Sequence, residues 1–152
     1  GATQSGDLMR LLRKPAGIIG VKFTSNDLYQ LEQMKADDHE LLVYNGFDEI
    51  YLAGLTMGAD GAIGSTFNFM PEKYIGIKKH FMAGNMEAAR KLQGEANAVI
   101  QVLIQTGKLL NAQKYLMDLQ GVPCGESRKP FLPLTDGDKK SLQGIAVKYL
   151  NP

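Results

Sequence analysis

The chain has 152 residues, a formal net charge of +1 and 22% charged side chains. That is enough for a domain with its own core, and it gives no electrostatic case for nucleic acid or an anionic membrane as a partner. No apolar run reaches the roughly 18 residues that span a bilayer, and the first 13 residues lack the layout of a signal peptide. Cys124 is the single cysteine, which excludes an internal disulfide and makes a reducing cytoplasm the default compartment. His39 and His80 belong to no metal-ligand spacing and read as surface histidines.

In chain order, Asp7 to Leu12 reads as the end of a helix, with Leu8, Leu11 and Leu12 at helical spacing and Pro15 as its stop. Gly17 to Thr24 (GIIGVKFT) is apolar and β-branched, which predicts a short strand buried on both faces. Ser25-Asn26-Asp27 can cap a helix running to about Lys35, with Leu28, Leu31 and Met34 inward. Glu40 to Asn45 (ELLVYN) predicts a second strand. Phe47 to Met57 predicts a helix facing inward through Ile50, Ala53, Gly54 and Met57. Gly61 to Gly64 predicts a third, very short strand, and Pro71 suits the first turn of the next helix.

After Gly84 no further strand is expected. Met86 to Thr106 predicts a long helix with Ala89, Leu92, Ala96, Val99, Ile100 and Leu103 on one stripe, stopped near Gly107. Ala112, Tyr115, Leu116 and Leu119 mark another helix, and Leu142, Ile145, Ala146, Tyr149 and Leu150 the last. Between these two, residues 121–136 hold Pro123, Pro130 and Pro133 and read as an ordered surface loop.

Strand and helix alternating at about twenty-residue intervals argue for right-handed βαβ units and a parallel sheet. Three such strands leave open edges, whereas a closed (β/α)8 barrel needs eight strands and about 250 residues. The α/β pattern therefore predicts the C-terminal half of a (β/α)8 TIM barrel, strands six to eight, followed by a helical extension. Residues 1–84 would form the partial barrel, residues 85–152 the extension packed on it, and the rest would lie upstream.

Three positions carry possible chemistry. Lys22 sits among apolar and small residues, where burial lowers a lysine's pKa and frees a neutral amine for imine formation. The strand alone fits the plainer alternative better: a stem lying on the core with its head in water. Asn45-Gly46-Phe47-Asp48-Glu49 follows the second strand, and its paired carboxylates could accept hydrogen bonds from a polyol. Acidic residues in a first helical turn suffice to explain it too. Gly64-Ser65-Thr66, after the third strand, could hold a carboxylate or simply cap a helix. Their common placement joins them, because βα turns at one end of consecutive parallel strands converge on one barrel mouth. Cys124 has no evident base, Arg128-Lys129 reads as a solvated turn, and Met34, Met57, Met70 and Met117 read as packing.

GVKFT, NGFDE and GADGAIGSTFNFM, in this order, with RKPFLPL further on, resemble the N-acetylneuraminate lyase branch of the dihydrodipicolinate synthase superfamily across essentially the whole chain. The resemblance implies a class I aldolase that splits N-acetylneuraminate reversibly into N-acetylmannosamine and pyruvate. It implies no metal and no cofactor beyond a covalent imine on lysine. By that resemblance Lys22 matches the Schiff-base lysine and Thr24 a threonine that positions substrate. Gly46, Asp48 and Glu49 match residues that bind the sugar's hydroxyls, Ser65 matches a further sugar contact, and Phe67 stands where many members carry tyrosine. Glu49 marks the sialic acid branch, since the dihydrodipicolinate branch usually differs there.

Two parts of the family's site have no counterpart here: the Gly-Ser-Thr-Gly-Glu turn that holds the pyruvate carboxylate, and the tyrosine that handles proton transfer. The isolated chain is accordingly expected to be inactive. The implied partners are small molecules, sialic acid and pyruvate, with neither nucleic acid nor membrane, and the resemblance implies a cytoplasmic homotetramer at full length. Two rivals remain: another pyruvate-dependent aldolase or synthase of the superfamily, and a non-catalytic half-barrel module.

Overall fold

The computed structural model describes residues 17–150, so the helix read at Asp7 to Leu12 and its stop at Pro15 lie outside the described residues. The chain divides between Gly64 and Ser65 into two compact units.

The first unit is a parallel sheet backed by helices. Its strands are β1 (Gly20–Phe23), β2 (Leu42–Asn45) and β3 (Gly61–Ala62). They are hydrogen-bonded in chain order, with Lys22 beside Tyr44, Phe23 beside Asn45, and Tyr44 beside Gly61. Helix α1 (Leu28–Asp37) starts where Asp27 accepts a hydrogen bond from the Gln30 amide at 3.2 Å. Leu31 and Met34 on α1 pack with Phe23, Leu41, Val43 and Ala59 into the core of this unit, and Val21 and Leu28 complete it.

At the start of β3 a clasp closes one end of the sheet. The Asp60 amide donates to the Val43 carbonyl at 2.9 Å, and the Asp60 carboxylate accepts from the Val43 amide at 2.7 Å. The Lys35 ammonium lies 3.0 Å from the same carboxylate and donates to the Leu41 carbonyl at 2.8 Å. Burial opposes ionisation of Asp60. The Val43 amide and the Lys35 charge outweigh it and hold the carboxyl below its ordinary value.

The element order follows the expectation, with corrections to the strands, to the helix after β2 and to one position of the long helix. All three strands are shorter than predicted, and β1 is covered on one face rather than two: Phe23 is buried, but Lys22 and Thr24 are exposed, and Ile19 just before the strand is 72% exposed. Among the described residues α1 supplies packing to one face of the sheet, and three strands do not curl the other face onto itself. The second correction concerns the helix after β2. A 3-10 turn over Asp48–Ile50 precedes helix α2 (Tyr51–Thr56), whose buried residues are Tyr51, Leu52, Gly54 and Leu55. A 3-10 turn advances three residues per revolution, not 3.6, which rotates the following helix relative to the predicted stripe. Of that stripe Gly54 stays buried, while Ile50, Ala53 and Met57 are only half-buried.

The second unit is helical. It opens with a 3-10 turn over Ser65–Asn68, followed by α3 (Pro71–Met82), α4 (Met86–Gln105), α5 (Leu109–Leu119) and α6 (Asp136–Tyr149). Pro71 takes the first turn of α3, and Asn85 caps α4 by accepting from the Ala88 amide. Helix α4 packs against α3, α5 and α6. Its inward stripe is Ala89, Gln93, Ala96, Val99, Ile100 and Leu103, so Gln93 is buried where Leu92 was predicted. Small residues are buried on these helices: Ala89 and Ala96 on α4, Ala112 on α5 and Ala146 on α6. Thr135 and Asp138 form a reciprocal capping box at the start of α6. The loop over residues 120–135 is ordered as expected: Asn111 donates to the Leu132 carbonyl at 2.8 Å and accepts from the Ser127 amide at 2.7 Å. No helix among the described residues is long and apolar enough to cross a membrane.

Candidate active site

Parallel strands place the turns after β1, β2 and β3 at one end of the sheet, opposite the Asp60 clasp. Lys22 is the third residue of β1, and its register neighbour on the same face is Tyr44. The Tyr44 ring has room because Gly61, the next residue in that row, has no side chain; a Cβ there would lie 3.3 Å from the ring. Lys22 makes no hydrogen bond or ion pair with the described residues, and it is exposed. The shielded setting expected for this amine is therefore not provided by the described residues, because no helix layer covers the Lys22–Tyr44 face.

Thr24 and Gly46 meet directly. The Gly46 amide donates to the Phe23 carbonyl at 2.8 Å, extending the pairing past the strand ends. A Cβ at Gly46 would overlap the Thr24 hydroxyl, so only glycine lets the two turns touch. Asp48 and Glu49 begin the 3-10 turn that follows. Asp48 is buried, and a Cβ at Gly64 would overlap its carboxylate. The carboxylate thus lies against the backbone just past β3, tying the second turn to the third. Next in the chain, burial pushes the Tyr51 phenol above its ordinary pKa, which keeps it protonated.

Ser65 belongs to the helical unit. It is exposed, and its hydroxyl accepts a hydrogen bond from the Gln113 side chain at 2.9 Å. Its neighbour Thr66 is buried and shares a 2.6 Å hydrogen bond with Tyr74 of α3, whose ring lies tilted by 38° against Phe67 with the centroids 3.9 Å apart. The geometry thus joins Thr24 with Gly46, and Asp48 with Gly64, within the sheet unit.

The dihydrodipicolinate synthetase family profile matches residues 5–148. The chain belongs to this family. An N-acetylneuraminate lyase of Rhizobium meliloti (strain 1021) is 44% identical over 144 residues, 95% of this chain and 48% of the relative. One from Escherichia coli (strain SMS-3-5 / SECEC) is 42% identical over 99% of this chain and 50% of its own length. The crystal structure of N-acetylneuraminate lyase from Fusobacterium nucleatum complexed with pyruvate superposes with a TM-score of 0.91 at 31% identity, covering 99% of this chain and 51% of that one. The chain spans about half the length of the curated relatives it matches, and its fold is that of half a (β/α)8 barrel with appended helices.

Within this family member, reading by residue type missed two contributors to the turns. Asn45 stands within NGFDE with no role suggested by its residue type, yet it falls on the Val43 face of β2, where an amide has no ordinary business. Gln113 sits 48 residues from Ser65, and no local signal links the two. Among the described residues no group of three or more His, Cys, Asp or Glu could hold a metal ion.

Proposed function

We propose that this chain carries the Schiff-base lysine and the sugar-binding turn of an N-acetylneuraminate lyase, acting with the remainder of the barrel that its relatives possess. One observation supports the reading above the rest. Lys22 and the Gly46–Glu49 turn stand at the C-terminal ends of adjacent parallel strands, in a chain whose curated relatives are N-acetylneuraminate lyases.

The neutral Lys22 amine attacks the C2 ketone of the open-chain sugar acid and, with loss of water, forms an imine. The protonated imine accepts the electron pair as the C3–C4 bond breaks and the C4 hydroxyl gives up its proton. N-acetylmannosamine leaves as the aldehyde. The enamine then takes a proton at C3, and water frees pyruvate and the amine. The imine is the electron sink, so the reaction needs no metal. Asp48 and Glu49 accept hydrogen bonds from the sugar's hydroxyls, Gly46 binds the same polyhydroxyl part, Ser65 is a further sugar contact, and Thr24 positions the substrate. In the complete enzyme residues 1–84 are barrel and residues 85–152 the helical extension. The same reading expects a homotetramer in the cytoplasm.

The test is pyruvate with borohydride on the full-length protein, followed by peptide mapping. A reduced pyruvate adduct on Lys22 is expected, together with release of pyruvate from N-acetylneuraminate. An adduct on Lys14, Lys35 or Lys73 instead overturns the assignment. Turnover of simpler 2-keto-3-deoxy acids in preference to N-acetylneuraminate assigns the chain to another branch.

A further inference from the structure

Asn45 is the one polar residue buried at the end of β2, only 1% exposed, on the face that Val43 and Phe23 fill with hydrocarbon. Its side-chain amide donates to the Phe47 carbonyl at 2.5 Å, which fixes which end of the amide points where. That leaves its carbonyl oxygen, Oδ1, buried without a hydrogen-bond partner. The oxygen is lodged against Gly54 of α2, where any Cβ would run into it. A buried acceptor left unsatisfied is destabilising, and an apolar residue of the same shape avoids that loss. Stability alone therefore does not account for an amide here. What the amide does achieve is local: it holds the Phe47 carbonyl, in the centre of the turn from Gly46 to Glu49, and so sets the direction in which the chain enters the 3-10 turn bearing Asp48 and Glu49.

We propose that Asn45 is a positioning residue for sugar recognition, acting through the Phe47 carbonyl on Asp48 and Glu49, and that Gly54 is glycine in order to admit it. The proposal rests on the aldolase reading for its substrate but not for its geometry. Two substitutions separate the functions of the two ends of the amide. Asn45→Leu removes both the donor and the orphaned acceptor at similar volume. Asn45→Asp keeps the size but replaces the amide donor with a carboxyl group, which when ionised sets a charged oxygen against the Phe47 carbonyl.

The experiment compares both variants with wild type in the full-length protein by three readouts: KM and kcat for N-acetylneuraminate, borohydride trapping of pyruvate, and hydrogen exchange of the Phe47, Asp48 and Glu49 amides. Expected is a rise in KM for the sugar of at least tenfold in both variants, with pyruvate trapping within twofold of wild type. Exchange should be faster in the turn and unchanged in β2, and the thermal midpoint of Asn45→Leu should be equal to or above wild type. Parallel loss of trapping and sugar turnover, or a lowered midpoint in Asn45→Leu with unchanged KM in Asn45→Asp, overturns the positioning role and makes Asn45 a structural residue. If the wild-type protein itself forms no pyruvate adduct, the aldolase reading fails. The exchange measurement then still decides whether Asn45 orders the turn, and unchanged exchange in both variants overturns that too.

Discussion

In the helical unit each long helix turns one stripe inward and finds another helix there. Ala96, Val99 and Leu103 of α4, Leu116 of α5 and Leu142 of α6 are all fully buried. In the sheet unit only one face is treated this way. Leu31, Met34 and Val43 are as buried as anything in the helices, while Lys22 and Thr24, on the opposite face of the same sheet, stand exposed. The contrast follows from where each element finds its hydrogen bonds. An α-helix satisfies its backbone internally and needs cover along one stripe. A parallel strand depends on neighbours at both edges and on layers over both faces. Four helices can therefore complete a core of their own, whereas three strands of a barrel leave their inner face to be enclosed by others. That inner face carries Lys22, and the helix-covered face carries the buried apolar core of the unit.

The comparison can be broken first at Lys22. Lys22→Arg keeps the charge but removes the primary amine, so sialic acid cleavage by the full-length protein should fall to background in a pyruvate-release assay. In the 152-residue chain the unfolding midpoint should not move, because the exposed side chain has no described partner to lose. A destabilised Arg variant would mean that the inner face supports the fold after all.

A second test compares two leucines that are both fully buried. Leu103→Ala in the helical unit should cost ~2–5 kcal/mol in urea unfolding, and Leu31→Ala in the sheet unit should fall lower within the same range. The sheet unit, covered on one side, can relax around the gap more readily than four interlocked helices. Equal losses would remove the asymmetry.

Smaller effects are expected at the turn. Asp48→Asn and Glu49→Gln should each weaken use of N-acetylneuraminate by ~1.5–3 kcal/mol, roughly ten- to a hundredfold in kcat/KM, while leaving pyruvate trapping intact. Equal losses in both assays would reduce the pair to helix-start residues.

The least effect is expected at the two acid-sensitive clasps, one in each unit. Hydrogen bonds from Lys108 and from the backbone and hydroxyl of Thr135 lower the Asp138 carboxyl to about 2. Asp60 is lowered against the opposing effect of burial by Val43 and Lys35. A carboxyl whose folded value lies below its unfolded one binds fewer protons when folded, so its contribution is complete above about pH 4. For Asp138 that contribution is lost as pH falls through about 2. Asp138→Asn and Asp60→Asn should each flatten the acid limb of a stability–pH curve and leave the neutral range nearly parallel to wild type. The Lys35–Asp60 ion pair, being partly exposed, should add at most about 1 kcal/mol.

The order of elements was legible because each rests on local chemistry. Leu28, Leu31 and Met34 repeat at helical spacing behind an aspartate cap, Pro71 opens a helix, and Gly107, with a positive φ, follows the end of one. Lys22, Thr24, Gly46, Asp48 and Glu49 could be placed on strand ends because parallel pairing makes chain order equivalent to position. What tertiary structure alone decided depends on atoms distant in sequence or on a change of helical pitch. The buried face of α2 turned away from its predicted stripe because a 3-10 turn precedes it. Gly46, Gly54 and Gly64 are glycines because Thr24, Asn45 and Asp48 occupy the space a Cβ would need. The exposure of Lys22 was likewise beyond a one-dimensional reading: an apolar strand shows that both its faces are suited to burial, but only the number of strands beside it decides whether the second face is enclosed.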